Sequence, residues 1–387
     1  MKPLYALVDA NNFYATCEKI FDPSLATRPL VVLSNNDGCI VARSAESKAL
    51  GIPMGAPIHQ WKDFCTEHGV VIKSSNYTLY GDMSARMLST LQDMCPQVES
   101  YSIDESFLNL AGYADASAYG YLIRQRLQQD IKVTCGVGIG PTKTLSKFAN
   151  HLAKKNAEFG GVFNTLDHTP EDMNRWMAAY PVSEVWGVGR QLTKRLGEDG
   201  IETVLDLARC DAVSIRKRYG IVLEKTVREL RGESCLSFED VGQPKQQIMA
   251  SRSFGTTVSD PHAIKAALTH HISRAAEKLR AQQSVCAHVY VMLRTNPFRE
   301  QDQQYRRTTL VPLDHASADT GVLMKAALNG LRQIFVPGLK YHKCGVMLGE
   351  LEPAGIQQTD LFAPVDDPKR LRLMSLMDAI NKTQGAG

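Results

Sequence analysis

What the chain lacks narrows its class first. No stretch of the 387 residues approaches the ~18 consecutive apolar residues that a membrane-spanning helix needs. The opening MKPLYALVD meets Asp9 where the apolar region of a secretion signal would continue. There is no CxxC pair, no HExxH and no Cys/His cluster at zinc spacing. The nine cysteines, an odd number, stand singly and read as reduced core fillers, not as a disulfide framework. The nucleotide-loop signatures are missing too. In GVGIGPTKT (136–144), Pro141 stands where the third glycine of GxGxxG belongs, and Lys143 lacks the preceding glycine of a Walker A loop. No internal repeat or low-complexity tract occurs. With 44% apolar and 22% charged residues the chain has an average globular composition, which excludes a disordered or fibrous protein. A soluble, cytoplasmic protein of two to four domains is expected, with no membrane partner.

The net charge of +3 is unevenly spread. Residues 1–165 carry 15 basic and 15 acidic side chains, and residues 166–242 carry 11 and 14. Residues 243–352 carry 14 and 8, so the positive excess sits in that segment, as either a polyanion-binding face or an ordinary solvated surface. The elements change along the chain in step. LYALV (4–8) reads as a buried strand before a helix, and Asp37-Gly38 is a hairpin turn between PLVVL and CIVAR. Helices fit about 44–50, 57–68, 79–95 and 116–129. VESYSI and SFLNL read as strands, as does KVTCGVGI, which a helix follows through Gly140-Pro141 near its first turn. Residues 166–235 read as short helices broken by glycines. From 246 the order is β-α-β-β-α-β, a compact ferredoxin-like unit, and after Pro353 the pattern is that of an exposed tail. The fold class is α+β, multidomain.

Three carboxylates stand out. Asp9 ends a buried strand just before a helix, where it either caps the helix or faces a site. Asp104-Glu105 lies in an apolar, strand-rich stretch where unpaired charge is costly. Neighbours on an ideal strand point to opposite faces, so both serve one site only at a bend; a solvated turn is the alternative. Together the three supply hard oxygen donors suited to Mg²⁺. Lys143, Lys147 and Lys154 fall on one helical face, either solvated or meeting phosphates. VWGVGRQLTKRL (185–196) resembles a helix-hairpin-helix, with Gly187 and Gly189 letting the backbone approach a phosphate and Arg190, Lys194 and Arg195 adding charge.

In this order, LVDANNFYATCE, YSIDESF, GVGIGPTKTLSKFANHLAKK and VWGVGR resemble the Y-family translesion DNA polymerases. SNNDGCIVARSAESKALG, ELRGESC and SRSFG make the chain similar to the UmuC-type catalytic subunits of DNA polymerase V and their plasmid-borne relatives. The resemblance spans about residues 1–380. It implies a right-hand polymerase: a ferredoxin-like palm (1–24 and 75–165), small fingers (25–74), an all-helical thumb (166–235) and a β-α-β-β-α-β little finger (243–352). It implies error-prone translesion synthesis in the SOS response, by two-metal nucleotidyl transfer from a dNTP to a primer 3′-hydroxyl. Two Mg²⁺ ions would be held by Asp9, Asp104, Glu105 and the carbonyl of Ala10. Phe13, Tyr14, Arg43, Lys48 and Lys154 would bind the nucleotide, with Tyr14 as a steric gate against ribose. Gly187, Gly189, Arg190 and Lys194 would contact DNA. The chain departs from many relatives in having Ala45 where a Tyr precedes the basic residue, and Lys48 lacks the fork of an Arg. Gln358, Leu361 and Phe362, in the tail, resemble a sliding-clamp-binding motif. Implied partners are primer-template DNA, the clamp, a UmuD-type cleaved accessory dimer and a recombinase filament on single-stranded DNA. UmuC-type chains usually run on past the position of Gly387, which implies a truncated tail here. A non-catalytic DNA-binding scaffold would tolerate loss of any of the three carboxylates. A palm-type nucleotidyl cyclase would need neither the glycine hairpin nor the basic last domain.

Overall fold

LYALV is continuously apolar because its strand lies in the middle of a sheet, covered on both faces. A computed structural model describes residues 2–238, 244–355 and 368–384, and the chain divides into two units, 1–242 and 243–387. In chain order the first unit begins with β1 (Tyr5–Ala10), α1 (Phe13–Phe21), β2 (Leu30–Leu33), β3 (Ile40–Arg43), α2 (Ala45–Ala49), α3 (Ile58–Glu67), β4 (Val71–Lys73) and α4 (Tyr77–Met94). It continues with β5 (Val98–Ser100), β6 (Glu105–Asn109), α5 (Ala116–Ile131), β7 (Cys135–Gly140), α6 (Lys143–Lys155) and β8 (Val162–Asn164). Five helices complete it: α7 (Pro170–Ala179), α8 (Arg190–Glu198), α9 (Val204–Arg209), α10 (Ala212–Tyr219) and α11 (Ile221–Leu230).

The main sheet has the order β5-β6-β1-β7-β8, with β1 antiparallel to both β6 and β7. Its core gathers Ala6, Val8 and Leu108 from the strands with Met83, Met87, Leu91, Ile123 and Leu127 from α4 and α5. A small sheet, β3-β2-β4, packs Val31, Leu33 and Ile40 against Ile52, Cys65 and Val70 as a separate core. Helix α6 is shared: it lies on β7, and its Leu145, Phe148, Ala149 and Leu152 also join the helical core of Val182, Leu196, Val204, Leu207 and Val227. Thr142 caps α6 by accepting from the Leu145 amide, so Pro141 precedes the cap instead of opening the first turn.

The second unit runs β9 (Ile248–Val258), α12 (Pro261–Ala281), β10 (Ser284–Thr295), β11 (Arg306–Ser317), α13 (Thr320–Ile334) and β12 (Tyr341–Pro353), the β-α-β-β-α-β order read from the sequence. Its antiparallel sheet, β11-β10-β12-β9, is covered on one face by α12 and α13. The expected exposed tail is corrected in part, since residues 368–384 form a helix, α14 (Pro368–Gln384). Arg280 makes a two-pronged ion pair with Asp378 at 2.6 Å on each prong, Arg370 does the same with Asp319 at 2.9 Å, and Met374 is buried. The helix docks through ion pairs while Leu373, Leu376, Met377 and Ile380 stay exposed, so its apolar spacing does not mark the buried side.

Candidate active site

The register of β1 on β6 sets Asp9 directly opposite Glu105, so both side chains leave the same face of the sheet. Asp104 lies in the bend just before β6, where the Ala10 amide donates to its carbonyl at 2.9 Å and the Ser102 hydroxyl donates to its carboxylate at 2.7 Å. Asp104 thus stands in the bend and Glu105 opens the strand. Burial pushes the Asp9 carboxyl above its ordinary range. Lys154 pulls it down, and the Glu105 and Asp104 charges push it further up.

The lysine stripe of α6 is turned onto this sheet, not outward. Lys143 Nζ is 2.6 Å from a Glu99 oxygen, Lys147 Nζ 2.9 Å from Glu105 Oε1, and Lys154 Nζ 2.7 Å from Asp9 Oδ1. Among the described residues, no three Asp, Glu, His or Cys side chains are gathered closely enough to enclose an ion. The donor set nonetheless fits a hard divalent cation: three carboxylates at one sheet end, all-oxygen, with Asp9 feeling the repulsion of the other two.

Near Asp9, three cations gather around a single paired carboxylate: Lys154, which holds Asp9 at 2.7 Å, with Lys48 and Arg43. Burial lowers the Lys48 pKa, and the nearby Arg43 and Lys154 charges lower it further, against the pull of Asp9. Arg43 Nη1 donates to the Ile52 carbonyl at 2.6 Å, while its Nε is buried with no hydrogen-bond partner. Beside them, Tyr14 stacks on Tyr80 with ring centroids 4.3 Å apart and meets the edge of Tyr77. Its hydroxyl pKa is pushed up by burial, then by Tyr77 and by the Asp104 charge. Phe13 is only 3% exposed and sits in the core behind it.

At the helical end, Gly187 has φ +87°, a left-handed conformation that favours glycine, and Gly189 stands at the N-terminus of α8. Gly187, Gly189, Arg190 and Lys194 are all exposed, whereas Val188 between them is buried. Two rings that sequence reasoning missed connect this turn to the carboxylates. Trp186 Nε1 donates to the Tyr101 hydroxyl at 3.1 Å, and Lys147 lies over both rings.

The second unit holds residues that the charge count located only as a segment. On the sheet face away from the helices, Arg306, Arg294 and Lys343 stand in register across β11, β10 and β12. Like charges opposite one another destabilise a sheet unless a counter-charge relieves them. The Arg294 Nε is buried without a partner, and the His342 pKa is lowered by burial and then by Arg294, Lys343 and Arg299. Alternation along 290–294 and 343–347 was the available signal. The tail residues Gln358, Leu361 and Phe362 lie outside the described residues.

The model of the impB/mucB/samB family matches residues 8–151, and that of the impB/mucB/samB family C-terminal domain matches residues 245–361. The chain belongs to this family. It is 44% identical to Protein SamB of Salmonella typhimurium, over 98% of this chain and 90% of that protein. It is 43% identical to Protein UmuC of Salmonella typhimurium strain LT2, over 99% and 92%. At 28% identity it also matches DNA polymerase IV of Moorella thermoacetica, over 94% and 90%. In fold it is similar to a Y-family DNA polymerase chimera of Dbh and Dpo4 (TM-score 0.73, 20% identity, 90% of this chain and 99% of that one). It is likewise similar to the insertion ternary complex of Dbh DNA polymerase (TM-score 0.58, 20% identity, 90% and 99%). The chain is thus a UmuC-type member of the Y-family polymerases. Among the described residues of this polymerase, no helix is long and apolar enough to cross a membrane.

Proposed function

We propose that this polymerase copies damaged template DNA, in an error-prone manner, as part of the SOS response in the cytoplasm. The observation that carries the reading is the convergence of Asp9, Asp104 and Glu105 at one sheet end, opposite the cations Arg43, Lys48 and Lys154. Asp9, Asp104, Glu105 and the Ala10 carbonyl would hold two Mg²⁺ ions. When bound, these supply activation of the primer 3′-hydroxyl and charge stabilisation at the leaving pyrophosphate. The chain's own groups do the rest. Lys154 and Lys48 bind the incoming triphosphate, with Arg43, whose buried Nε lacks a partner, helping. The Tyr14 ring, fixed by its stack on Tyr80, occupies the space a ribose 2′-hydroxyl would need. Phe13 braces it from the core.

Within the second unit the basic row Arg306–Arg294–Lys343 offers contacts to duplex phosphates, and within the first unit the exposed turn at Gly187, Gly189, Arg190 and Lys194 does the same. We assign residues 1–24 and 75–165 to the palm, 25–74 to the fingers, 166–235 to the thumb and 243–352 to the little finger. Gln358, Leu361 and Phe362 would tether the chain to a sliding clamp, with a UmuD-type cleaved dimer and a recombinase filament as further partners. The test is Asp104→Asn, which keeps shape and removes charge. Primer extension on a lesion-bearing template should fall by at least about 10²-fold while duplex affinity persists. Full activity in that variant would refute the site.

A further inference from the structure

The closest contacts around Glu105 form a chain that the metal site alone does not require. Its partner Lys147 projects from α6, and the two side chains are only 17% and 18% exposed, so water screens the pair little. The rest of the ammonium is walled by rings: its nitrogen lies 4.4 Å from the Tyr101 centroid and 5.1 Å from the Trp186 centroid. The two rings meet edge to face, 5.4 Å apart at 89°, and the indole N–H donates to the Tyr101 hydroxyl. Tyr101 is also fixed through its backbone, because its amide donates to the Glu105 carbonyl at 3.0 Å. Trp186 is bonded directly to Gly187, the left-handed residue of the exposed glycine turn.

We propose that Lys147 is a positioning residue: it aims the Glu105 carboxylate and, through Tyr101 and Trp186, couples that carboxylate to the glycine turn at 187–189. The inference rests on the metal-site reading above. Lys147, whose ammonium lies 2.9 Å from Glu105, would give up part of that pairing where Glu105 holds a divalent cation, and would move against the indole. A duplex phosphate on the turn holds the indole in place, so the two binding events are linked, and the linkage is reciprocal.

The test uses the full chain with Trp61→Phe and Trp176→Phe, which leaves Trp186 as the sole tryptophan. Mn²⁺ affinity is measured by electron paramagnetic resonance without DNA or nucleotide, and Mg²⁺ is titrated against Trp186 fluorescence. In Lys147→Met, which keeps length and removes charge, Mn²⁺ should bind about five- to tenfold more tightly. The kcat of primer extension should nonetheless fall about tenfold or more, because Glu105 is no longer aimed. Lys147→Arg should restore much of the kcat. Mg²⁺ should change Trp186 emission in the parent and leave it unchanged in Lys147→Met. Unchanged or weaker Mn²⁺ affinity in Lys147→Met, or a persisting emission change, would overturn the proposal. Glu105→Gln separates the two levels. If it weakens Mn²⁺ binding while Lys147→Met changes nothing, the coupling alone falls. If it leaves Mn²⁺ binding intact, the metal-site reading falls and the coupling with it.

Discussion

Two glycines on one strand predict opposite kinds of failure. Gly136, Gly138 and Gly140 alternate along β7 and face α6, the helix that carries Lys147 and Lys154. A β-carbon on Gly138 would lie 2.0 Å from the Asn150 amide nitrogen and 2.2 Å from the Ser146 carbonyl oxygen. That is 1.4 Å short of the 3.4 Å where ordinary contact begins, and both obstacles are backbone. The helix must therefore retreat as a body, losing packing on the sheet and on the helical core together. We expect Gly138→Ala to cost about 3 kcal/mol, the upper range for overpacking. For a unit of this size that lowers the melting temperature by roughly 6–12 °C. Lifting α6 by an ångström also misplaces both lysines, and primer extension should fall about 10²-fold in the protein that folds. A β-carbon on Gly136 instead meets Lys154 Cγ at 2.8 Å and Cε at 2.9 Å, a flexible chain that can swing away. Gly136→Ala should move the melting temperature by less than about 3 °C, yet raise the nucleotide KM as Lys154 is displaced. Circular-dichroism melts and single-nucleotide insertion kinetics measure both. A Gly138→Ala protein that melts with the parent, or a Gly136→Ala protein equally destabilised, would refute the steric account.

Those glycines also mark where sequence reading reached its limit. GVGIGPTKT fits no phosphate-loop signature, because its glycines serve a helix pressed onto a strand; that reason is visible only once α6 is placed. The lysine spacing correctly gave one face, but not which way it pointed, since α6 is buried between sheet and helical core. The second unit was legible because its alternation is local, strand by strand. The order β5-β6-β1-β7-β8 was not, because pairings such as Tyr5 with Gly140 join distant segments. The adjacent carboxylates Asp104-Glu105 left two readings open, a bend serving one site or a solvated turn, and the structure places Asp104 in a bend before the strand that Glu105 opens. Tyr101 and Trp186 were missed for a plain reason: they stand 85 residues apart and carry no charge. In α14, the side that docks is chosen by Asp319 and Arg280, which no local pattern within the helix reveals.

Tyr14→Ala should raise ribonucleotide incorporation by about tenfold or more, read as the ratio of kcat/KM for paired ribo- and deoxynucleotides; an unchanged ratio would return Tyr14 to a packing role against Tyr80. Lys154→Ala should weaken nucleotide binding more than Lys48→Ala, since Lys154 already reaches Asp9 at 2.7 Å; if it weakens duplex binding alone, the lysine is a DNA contact. Asp9→Asn makes the opposite demands on stability and function. Burial and the neighbouring carboxylates raise the Asp9 pKa above 3.8, more than Lys154 lowers it. The folded chain therefore binds this proton more readily than the unfolded chain. Stability from this group is full below the unfolded value and is lost as pH rises through the folded one. At neutral pH, without divalent cation, Asp9→Asn should melt at or above the parent temperature, and the two should converge as pH falls. Lys154, left without its partner, is 28% exposed and can turn to water. Adding Mg²⁺ should reverse the order, because a cation bound to the folded parent stabilises it by mass action and the variant binds less. Melts from pH 4 to 8, with and without Mg²⁺, read the whole pattern. If Asp9→Asn is clearly less stable at pH 7 without Mg²⁺, the pair with Lys154 outweighs burial, and Asp9 is a structural anchor of α6 before it is a metal ligand.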